Sequence, residues 1–280
     1  MDQNKNSIIV PYDFSEKADI SLEHAVQLAR TIDNDVYLVS FNDDGGMFSN
    51  KLKIQKQEEE IFNEFKKISD NFTKKYNFPV KHLVVTGKIK GIIKNVLEEK
   101  KADLLVTGVN YKVQKSCTNA IDFLGYLKEV NVPIIVTKRP PIHSAYREIV
   151  VPVEYDKKYK EELKWVIYLA KFFQCNVNFI RPFITDPVKK KYIDNNIFFT
   201  KKMLDSNNIV YGIKQASQSV NFKDAIFEFA NGIDADLLII MSHKFKDYIC
   251  DKSNNVIESE RIPVMTINPR ADLKNYQGFY

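Results

Sequence analysis

Cysteine is scarce in this sequence of 280 residues, and the three cysteines, Cys117, Cys175 and Cys250, lie far apart. An odd number of cysteines without any CxxC pair argues against a disulfide framework and against a zinc site, and it favours reduced thiols. The four histidines show no ligand-like spacing among themselves or with the cysteines. We therefore predict that the protein has no metal site.

Long hydrophobic runs are also lacking. No apolar stretch approaches the roughly 18 residues that a membrane-spanning helix needs. Residues 1–6 are polar and contain no apolar signal region. We expect a protein without membrane association that stays in the cytoplasm, where cysteines are kept reduced.

Neither sign of charge dominates, because 41 Lys and Arg against 36 Asp and Glu leave a net charge of only +5. The small excess is shared evenly between the two halves, which gives no reason to expect specific nucleic-acid binding. Hydrophobic residues at 44% and charged residues at 28% are typical of a globular chain. Neither a Gly-x-Ser-x-Gly elbow nor a Walker loop occurs, so we predict no catalytic residue and no enzymatic activity.

Short apolar runs alternate with segments of helical spacing over the first 140 residues. Ile8-Ile9-Val10 is typical of a strand that is buried on both faces, and Ser15 is a predicted helix N-cap. A long charged segment from about Lys51 to Tyr76 is amphipathic, and the sequence leaves open whether it forms one helix or two. With a further helix predicted around residues 120–130, the order is β-α-β-α-β-α-β-α-β. This alternation predicts a parallel sheet with helices on both faces.

The same order starts again in the second half of the chain. Residues 8–11, Ile-Ile-Val-Pro, match Ile-Val-Val-Pro at residues 149–152. The run Ala-Asp-Leu-Leu occurs at residues 102–105 and again at residues 235–238. We infer two homologous domains, residues 1–140 and 146–280, joined by a short linker that begins with two prolines. The predicted fold class is α/β, with two tandem Rossmann-like domains of five parallel strands each.

The first half resembles the universal stress protein family. The resemblance is carried by Val-Pro-Tyr-Asp-Phe-Ser-Glu at residues 10–16 and by Ala-Asp-Leu-Leu-Val-Thr-Gly at residues 102–108. It implies a sheet of the adenine nucleotide alpha hydrolase type in each half, and a tandem arrangement that mimics the homodimer of the family. The closing strands near residues 134–136 and 264–267 would then pair within one chain.

Many members of this family bind ATP or related adenine nucleotides, and the resemblance implies where such a site would lie. Asp13 stands at the acidic position after the first strand, where a carboxylate could bind the ribose or the adenine amine. The family has three glycines in the loop after the fourth strand, and only Gly108 is present here. Ser116 and Thr118 lie near the place of the final Gly-Ser pair and could contact phosphate. The other interpretations are a helix-capping carboxylate for Asp13 and an ordinary turn for Gly108.

The second half departs further from the family pattern. Glu154 stands in the place of Asp13, and Met-Ser-His-Lys at residues 241–244 replaces the first glycine of the loop. His243 and Lys244 could bind an anion or could form an exposed polar loop. The ATP-binding motifs are therefore degenerate in both halves.

Two functions follow from these observations. The first is a non-enzymatic, cytoplasmic tandem universal stress protein that acts as a stress-response regulatory or interaction module without a cofactor. It would have an unidentified protein partner, paired domains within the chain and, as an open alternative, a homodimer. The second is a sensor whose first domain binds ATP or another adenine nucleotide through Asp13, Gly108, Ser116 and Thr118. The segment from Lys51 to Tyr76 is the predicted partner surface, with a merely solvated helix as the alternative.

Overall fold

The computed structural model describes residues 5–42, 51–86, 89–108, 132–155, 159–250 and 262–268. These residues form two compact units, and the chain passes from the first to the second between Pro140 and Pro141. Ser116, Thr118 and the helix predicted around residues 120–130 lie outside the described residues.

The first unit alternates strands and helices as the sequence predicts. In chain order its described elements are β1 (Ser7–Pro11), α1 (Glu16–Ile32), β2 (Asp35–Asn42), α2 (Lys51–Tyr76), β3 (Val80–Thr86), α3 (Ile89–Glu99), β4 (Ala102–Gly108) and β5 (Ile134–Thr137). The strands are parallel and lie in the order β3-β2-β1-β4-β5. The long charged segment is a single helix, α2, which answers the question that its sequence left open.

The second unit repeats this plan. Its described elements are β6 (Glu148–Pro152), α4 (Tyr159–Phe173), β7 (Asn176–Arg181), α5 (Pro187–Asp205), β8 (Tyr211–Gln215), α6 (Phe222–Gly232), β9 (Leu237–Met241), a 3-10 helix (Ser242–Lys244), α7 (Phe245–Ile249) and β10 (Val264–Ile267). These strands are also parallel, in the order β10-β9-β6-β7-β8. The predicted fold class, α/β with parallel sheets flanked by helices, is confirmed.

The core of the first unit lies against both faces of its central strands. Ile8, Ile9 and Val10 of β1 have no exposed surface, as expected for a strand that is covered on both sides. Helix α1 begins at the predicted N-cap, because the Ser15 hydroxyl oxygen accepts a hydrogen bond of 3.2 Å from the backbone N–H of Ala18. Since β1 ends just before this cap, the chain reverses direction at the carboxyl edge of the sheet.

Backbone conformation repeats along with the element order. A left-handed conformation is uncommon for residues other than glycine, because the Cβ atom crowds the following carbonyl group. Six such residues form three pairs at corresponding places of the two units, separated by 141, 131 and 133 residues: Asp33 and Gln174, Asn77 and Asn208, Lys101 and Asp234. The two units therefore share their turns as well as their strands.

The aspartate of the repeated Ala-Asp-Leu-Leu run has a structural role in each unit. Asp103 is buried and accepts hydrogen bonds from the side-chain amides of Asn6 and Asn34. Burial raises the pKa of Asp103, and the two amide donors only partly offset this effect. Asp236 is also buried and accepts from two backbone N–H groups and from the His143 ring. Both carboxylates therefore anchor the chain at the amino ends of the strands.

The expectation of three reduced thiols is wrong. Cys175 is a free, buried thiol, but Cys250 is disulfide-bonded. Burial raises the pKa of Cys175 to about 12. A disulfide requires cysteines whose Cα atoms lie within about 7 Å, and the fold can provide this for residues that are distant in sequence.

Candidate functional site

In the first unit the candidate site lies where the strand order reverses, between β1 and β4. Open parallel sheets place ligands at the carboxyl ends of their strands at such a point. Ile9 of β1 is aligned with Leu105 of β4, so Asp13 and Gly108 both follow the carboxyl ends of these two neighbouring strands. The fold therefore brings these two predicted site residues to the same edge of the sheet.

Asp13 is exposed, and its carboxylate organises the start of α1. One carboxylate oxygen, Oδ1, accepts hydrogen bonds from the backbone N–H of Ser15, at 3.1 Å, and from the Ser15 hydroxyl. The Ser15 hydroxyl oxygen in turn caps the helix at Ala18. This geometry gives Asp13 a capping role of its own. Its predicted role as a ligand contact stays a prediction.

An aromatic cluster adjoins Asp13. The Tyr12 and Phe14 rings pack edge to face with the buried ring of Phe65 in α2, at centroid distances of 5.6 and 4.9 Å. Phe14 has a left-handed backbone with a φ of 60°, which is strained for a bulky residue. The Tyr12 hydroxyl donates to Asp19, and burial together with this carboxylate raises the pKa of Tyr12. The neighbours of Asp13 are thus fixed by packing.

Gly108 lies against the first turn of α1. A Cβ atom built at Gly108 would be 2.8 Å from the carbonyl oxygen of Lys17 and 2.9 Å from its Cβ atom. The Lys17 ammonium group donates to the carbonyl oxygen of Lys138 at 2.9 Å. The absence of a side chain at Gly108 is therefore required by the close approach of a helix. A phosphate contact at this glycine stays a prediction.

The corresponding place in the second unit, between β6 and β9, is closed by side chains. Glu154 follows β6 and accepts a hydrogen bond from the Tyr248 hydroxyl of α7. The Lys244 ammonium nitrogen lies 3.4 Å from the other Glu154 oxygen. Burial and the Glu154 carboxylate raise the pKa of Tyr248 well above its usual range. Tyr248 therefore stays protonated and keeps donating to Glu154.

The described residues beside Glu154 enclose a small cavity. A cavity of about 10 Å³ lies there, which is room for about one water molecule. Small-molecule pockets usually enclose about 300–1,000 Å³. Two carboxylates, Glu154 and the buried Glu162, line the cavity together with Tyr159 and residues of β6 and β9. Its size and its acidic lining are both unsuited to a nucleotide.

Comparison with known proteins indicates the family that the first unit resembles. Residues 5–110 match the model of the universal stress protein family. Residues 5–110 form a universal stress protein domain. The match covers β1, α1 and β4, and so confirms the resemblance found in the sequence of the first half. No curated protein sequence matches the chain.

Solved structures show that the likeness in fold extends over both units. A universal stress protein from Archaeoglobus fulgidus is 14% identical, with a TM-score of 0.72, over 96% of this chain and 98% of that one. A putative universal stress protein from Pseudomonas aeruginosa is 12% identical, with a TM-score of 0.54, over 94% and 93% of the two chains. At these identities the likeness is one of fold.

A third family member, a universal stress protein in complex with cAMP, is similar over 51% of this chain and 100% of its own. It is 16% identical, with a TM-score of 0.39.

The sequence motifs do not indicate what occupies the crevice of the second unit. Phe245, Tyr248 and Ile249 of α7 are buried. Their spacing of three and four residues is a helical signal, and it could have predicted a short helix with one inward face. Lys244, one of two residues considered for anion binding, lies beside Glu154 instead, while His243 is exposed.

The described residues contain neither a cluster of metal ligands nor a membrane-spanning helix. Among the described residues, no three His, Cys, Asp or Glu side chains are grouped as metal ligands would be. In the same part of the chain, every helix is too short or too polar to cross a bilayer.

Proposed function

We propose that this universal stress protein is a non-enzymatic regulatory or interaction module of the stress response. The observation that carries the proposal is the hydrogen bond between Tyr248 and Glu154 at the crevice of the second unit, where Glu154 also lines a cavity of about 10 Å³. The carboxyl end of an open parallel sheet is where this kind of fold places ligands. A second unit that fills this place with its own side chains is better suited to act through its outer surfaces.

A second candidate function is an adenine-nucleotide sensor, and the exposure of Asp13 favours it. Asp13 lies at the strand-order reversal of the first unit, at the position that binds nucleotide in many members of the family. The ligand would be ATP or another adenine nucleotide, held by Asp13, Gly108, Ser116 and Thr118. Against this candidate, Gly108 packs against the backbone of Lys17, and the Lys17 ammonium donates to a backbone carbonyl group.

A thermal-shift titration of the full chain separates the two candidates. ATP, ADP, AMP and cyclic AMP are titrated with and without magnesium, and release of phosphate from ATP is followed in the same samples. A ligand at a hundred times its Kd adds about 2.7 kcal/mol to the free energy of unfolding. We expect no saturable shift with any nucleotide and no release of phosphate above the protein-free rate.

Two variants serve as controls for this titration. Asp13→Ala removes the carboxylate. Ser15→Ala removes the hydroxyl that bonds Asp13 and caps the helix at Ala18, and it leaves the carboxylate and its bond to the backbone N–H of residue 15 in place. A saturable shift that is lost in Asp13→Ala and kept in Ser15→Ala would contradict the proposed function and support the nucleotide sensor. A shift that both variants keep would also contradict it and would assign the nucleotide to another place.

The remaining expectations about partners and compartment also belong to this proposal. The partner would be a protein, and the pairing of the two domains and the homodimer stay predictions. Cytoplasmic location stays a prediction as well, and the disulfide at Cys250 removes the argument from reduced thiols. Analytical ultracentrifugation of the purified chain tests the homodimer directly.

A further inference from the structure

Helix α5 of the second unit has a buried face with regular spacing. Ile193, Ile197, Thr200 and Leu204 are the buried residues of this helix. They follow one another at intervals of four, three and four residues, which places them on one side. This side accounts for the attachment of α5 to its unit.

The opposite side of α5 carries a second row with the same spacing. Lys191, Asn195, Phe198 and Lys202 each come two residues before a member of the buried row, and all four are exposed. Two residues correspond to about 200° around a helix, so this row faces away from the core. Phe198 has 72% of its surface exposed, and Val188 at the start of the helix has 66%. An aromatic ring exposed to this extent offers a partner apolar area to bury.

The charge around Phe198 is positive and is not neutralised. Five exposed lysines lie on α5, and among the described residues none of them forms an ion pair: Lys189, Lys190, Lys191, Lys201 and Lys202. The two aspartates of the helix have other contacts. Asp194 pairs with Arg181 at 3.1 Å, and Asp205 accepts from the Tyr211 hydroxyl at 3.1 Å. An anionic partner would therefore meet free ammonium groups on this helix.

The fold itself does not require such a surface. Helix α2 follows the second strand of the first unit, as α5 follows the second strand of its own unit. The exposed residues of α2 include both signs of charge, among them Glu60, Glu64 and Lys67. Its exposed Phe62 packs against the His82 ring at 4.8 Å. Among the described residues of these two helices, the exposed ring of Phe198 has no such ring contact, and the exposed lysines of α5 form no ion pair.

We propose that Lys191, Asn195, Phe198 and Lys202, the α5 outer face, dock an acidic segment of a partner protein. This inference rests on the proposed function, in which the chain acts through its surfaces. One aromatic anchor surrounded by charged groups is the usual composition of a binding hot spot and its rim. Binding to the phosphates of a membrane or of a nucleic acid is an outcome of the test below.

The test uses the full chain and random peptides displayed on phage. Peptides enriched on the wild-type chain are synthesised, and their affinities are measured by fluorescence polarisation. We expect enriched peptides rich in Asp and Glu. We expect Phe198→Ser, and separately the double variant Lys191→Glu with Lys202→Glu, to weaken their binding at least about tenfold. Thermal unfolding of each variant verifies that it folds, as expected for exposed positions.

The matched control is the double variant Lys67→Glu with Lys74→Glu, which makes the same change of charge at exposed positions of α2. It should keep the affinity of the wild-type chain. Enriched peptides without acidic residues, no enrichment, or equal loss in the control would overturn the inference. So would binding of phosphatidylglycerol-containing vesicles or of poly(U) RNA that depends on Phe198 when no acidic peptide binds.

The nucleotide titration distinguishes this inference from the proposed function. If the peptide experiment fails and no nucleotide produces a thermal shift, only the docking role of the α5 outer face is contradicted. A saturable nucleotide shift contradicts the proposed function, whatever the peptides do.

Discussion

Gly108 is the described glycine at which an added side chain meets the closest obstacle. The nearest atoms to a Cβ atom at this position belong to the backbone and Cβ of Lys17, which cannot rotate away. We expect Gly108→Ala to lower the free energy of unfolding by about 1–3 kcal/mol, the usual cost of overpacking. Urea denaturation of both proteins measures this difference.

Gly232, the last residue of α6, is the matched control. Nothing lies within 4 Å of a Cβ atom built there. Alanine is favoured over glycine in helices, so Gly232→Ala should be neutral or should stabilise by up to about 1 kcal/mol. Equal destabilisation by the two changes would show that the contact with Lys17 is not the cause.

At single residues, the sequence predicted those features that depend on the nearest neighbours. Ser15 was predicted as an N-cap, and it is one, because a cap needs only the three residues that follow it. Gly108 was interpreted as a phosphate contact or as a turn. Its contact with Lys17 joins residues that are distant in sequence, and no local pattern indicates such a contact.

At the scale of elements, α1 and α2 are joined by one carboxylate. Glu23 of α1 accepts hydrogen bonds from the Lys75 ammonium, at 2.9 Å, and from the Tyr76 hydroxyl, at 2.7 Å. Burial opposes the ionisation of Glu23, but these two donors outweigh it and lower the pKa of the carboxyl group. We expect Glu23→Gln to lower the free energy of unfolding by about 0.5–1.5 kcal/mol at neutral pH. Urea denaturation of the wild type and of Glu23→Gln measures this difference.

The pH dependence of this difference has a definite sign. Because folding lowers the pKa of Glu23, the stabilisation is complete above pH 4.5 and is lost as the pH falls through the lower folded value. Wild type and Glu23→Gln should therefore converge in acid. Glu98→Gln is the control, because Glu98 and Lys94 are 4.0 Å apart and both well exposed, and it should change little. A difference that is constant with pH would contradict the assignment.

Elements with a strong period were predicted well, and the short helix α7 was not. The apolar spacing of α1 and the charged periodicity of α2 extend over 17 and 26 residues. Helix α7 has only five residues, and it follows directly after a strand and a 3-10 helix. Its Tyr248 hydroxyl donates to Glu154, which lies in another part of the sequence. The sequence therefore predicts a departure from the glycine motif of the family, but it does not predict the contact between Tyr248 and Glu154.

At the scale of the whole molecule, protonation of His82 makes the free energy of unfolding depend on pH in the mildly acidic range. Its ring contacts Phe62 at 4.8 Å and Phe65 at 6.4 Å. Burial lowers the pKa of His82 below 6.5, with a further contribution from Lys66, although Asp70 opposes it. A lowered pKa means that stability is complete above pH 6.5 and is lost as the pH falls through the folded value.

We therefore expect the Tm of the wild-type chain to fall as the pH decreases from 6.5. The variant His82→Phe keeps an aromatic ring against Phe62 and removes the titrating group. The Tm of His82→Phe should fall less over the same pH interval. The interval ends above the pH at which Glu23 titrates, so that Glu23 does not contribute to the difference. Thermal unfolding followed by circular dichroism measures both curves. Parallel curves for the two proteins would show that His82 does not contribute.

The two copies of the fold, finally, separate the part that holds the chain together from the part that meets ligands. Asp103 and Asp236 anchor the amino ends of the strands, whereas Asp13 and Glu154 lie at the carboxyl ends. Substitutions at one end leave the anchors at the other end intact. Evolution could thus seal one crevice without losing the architecture, and protein engineers could reshape either crevice for the same reason.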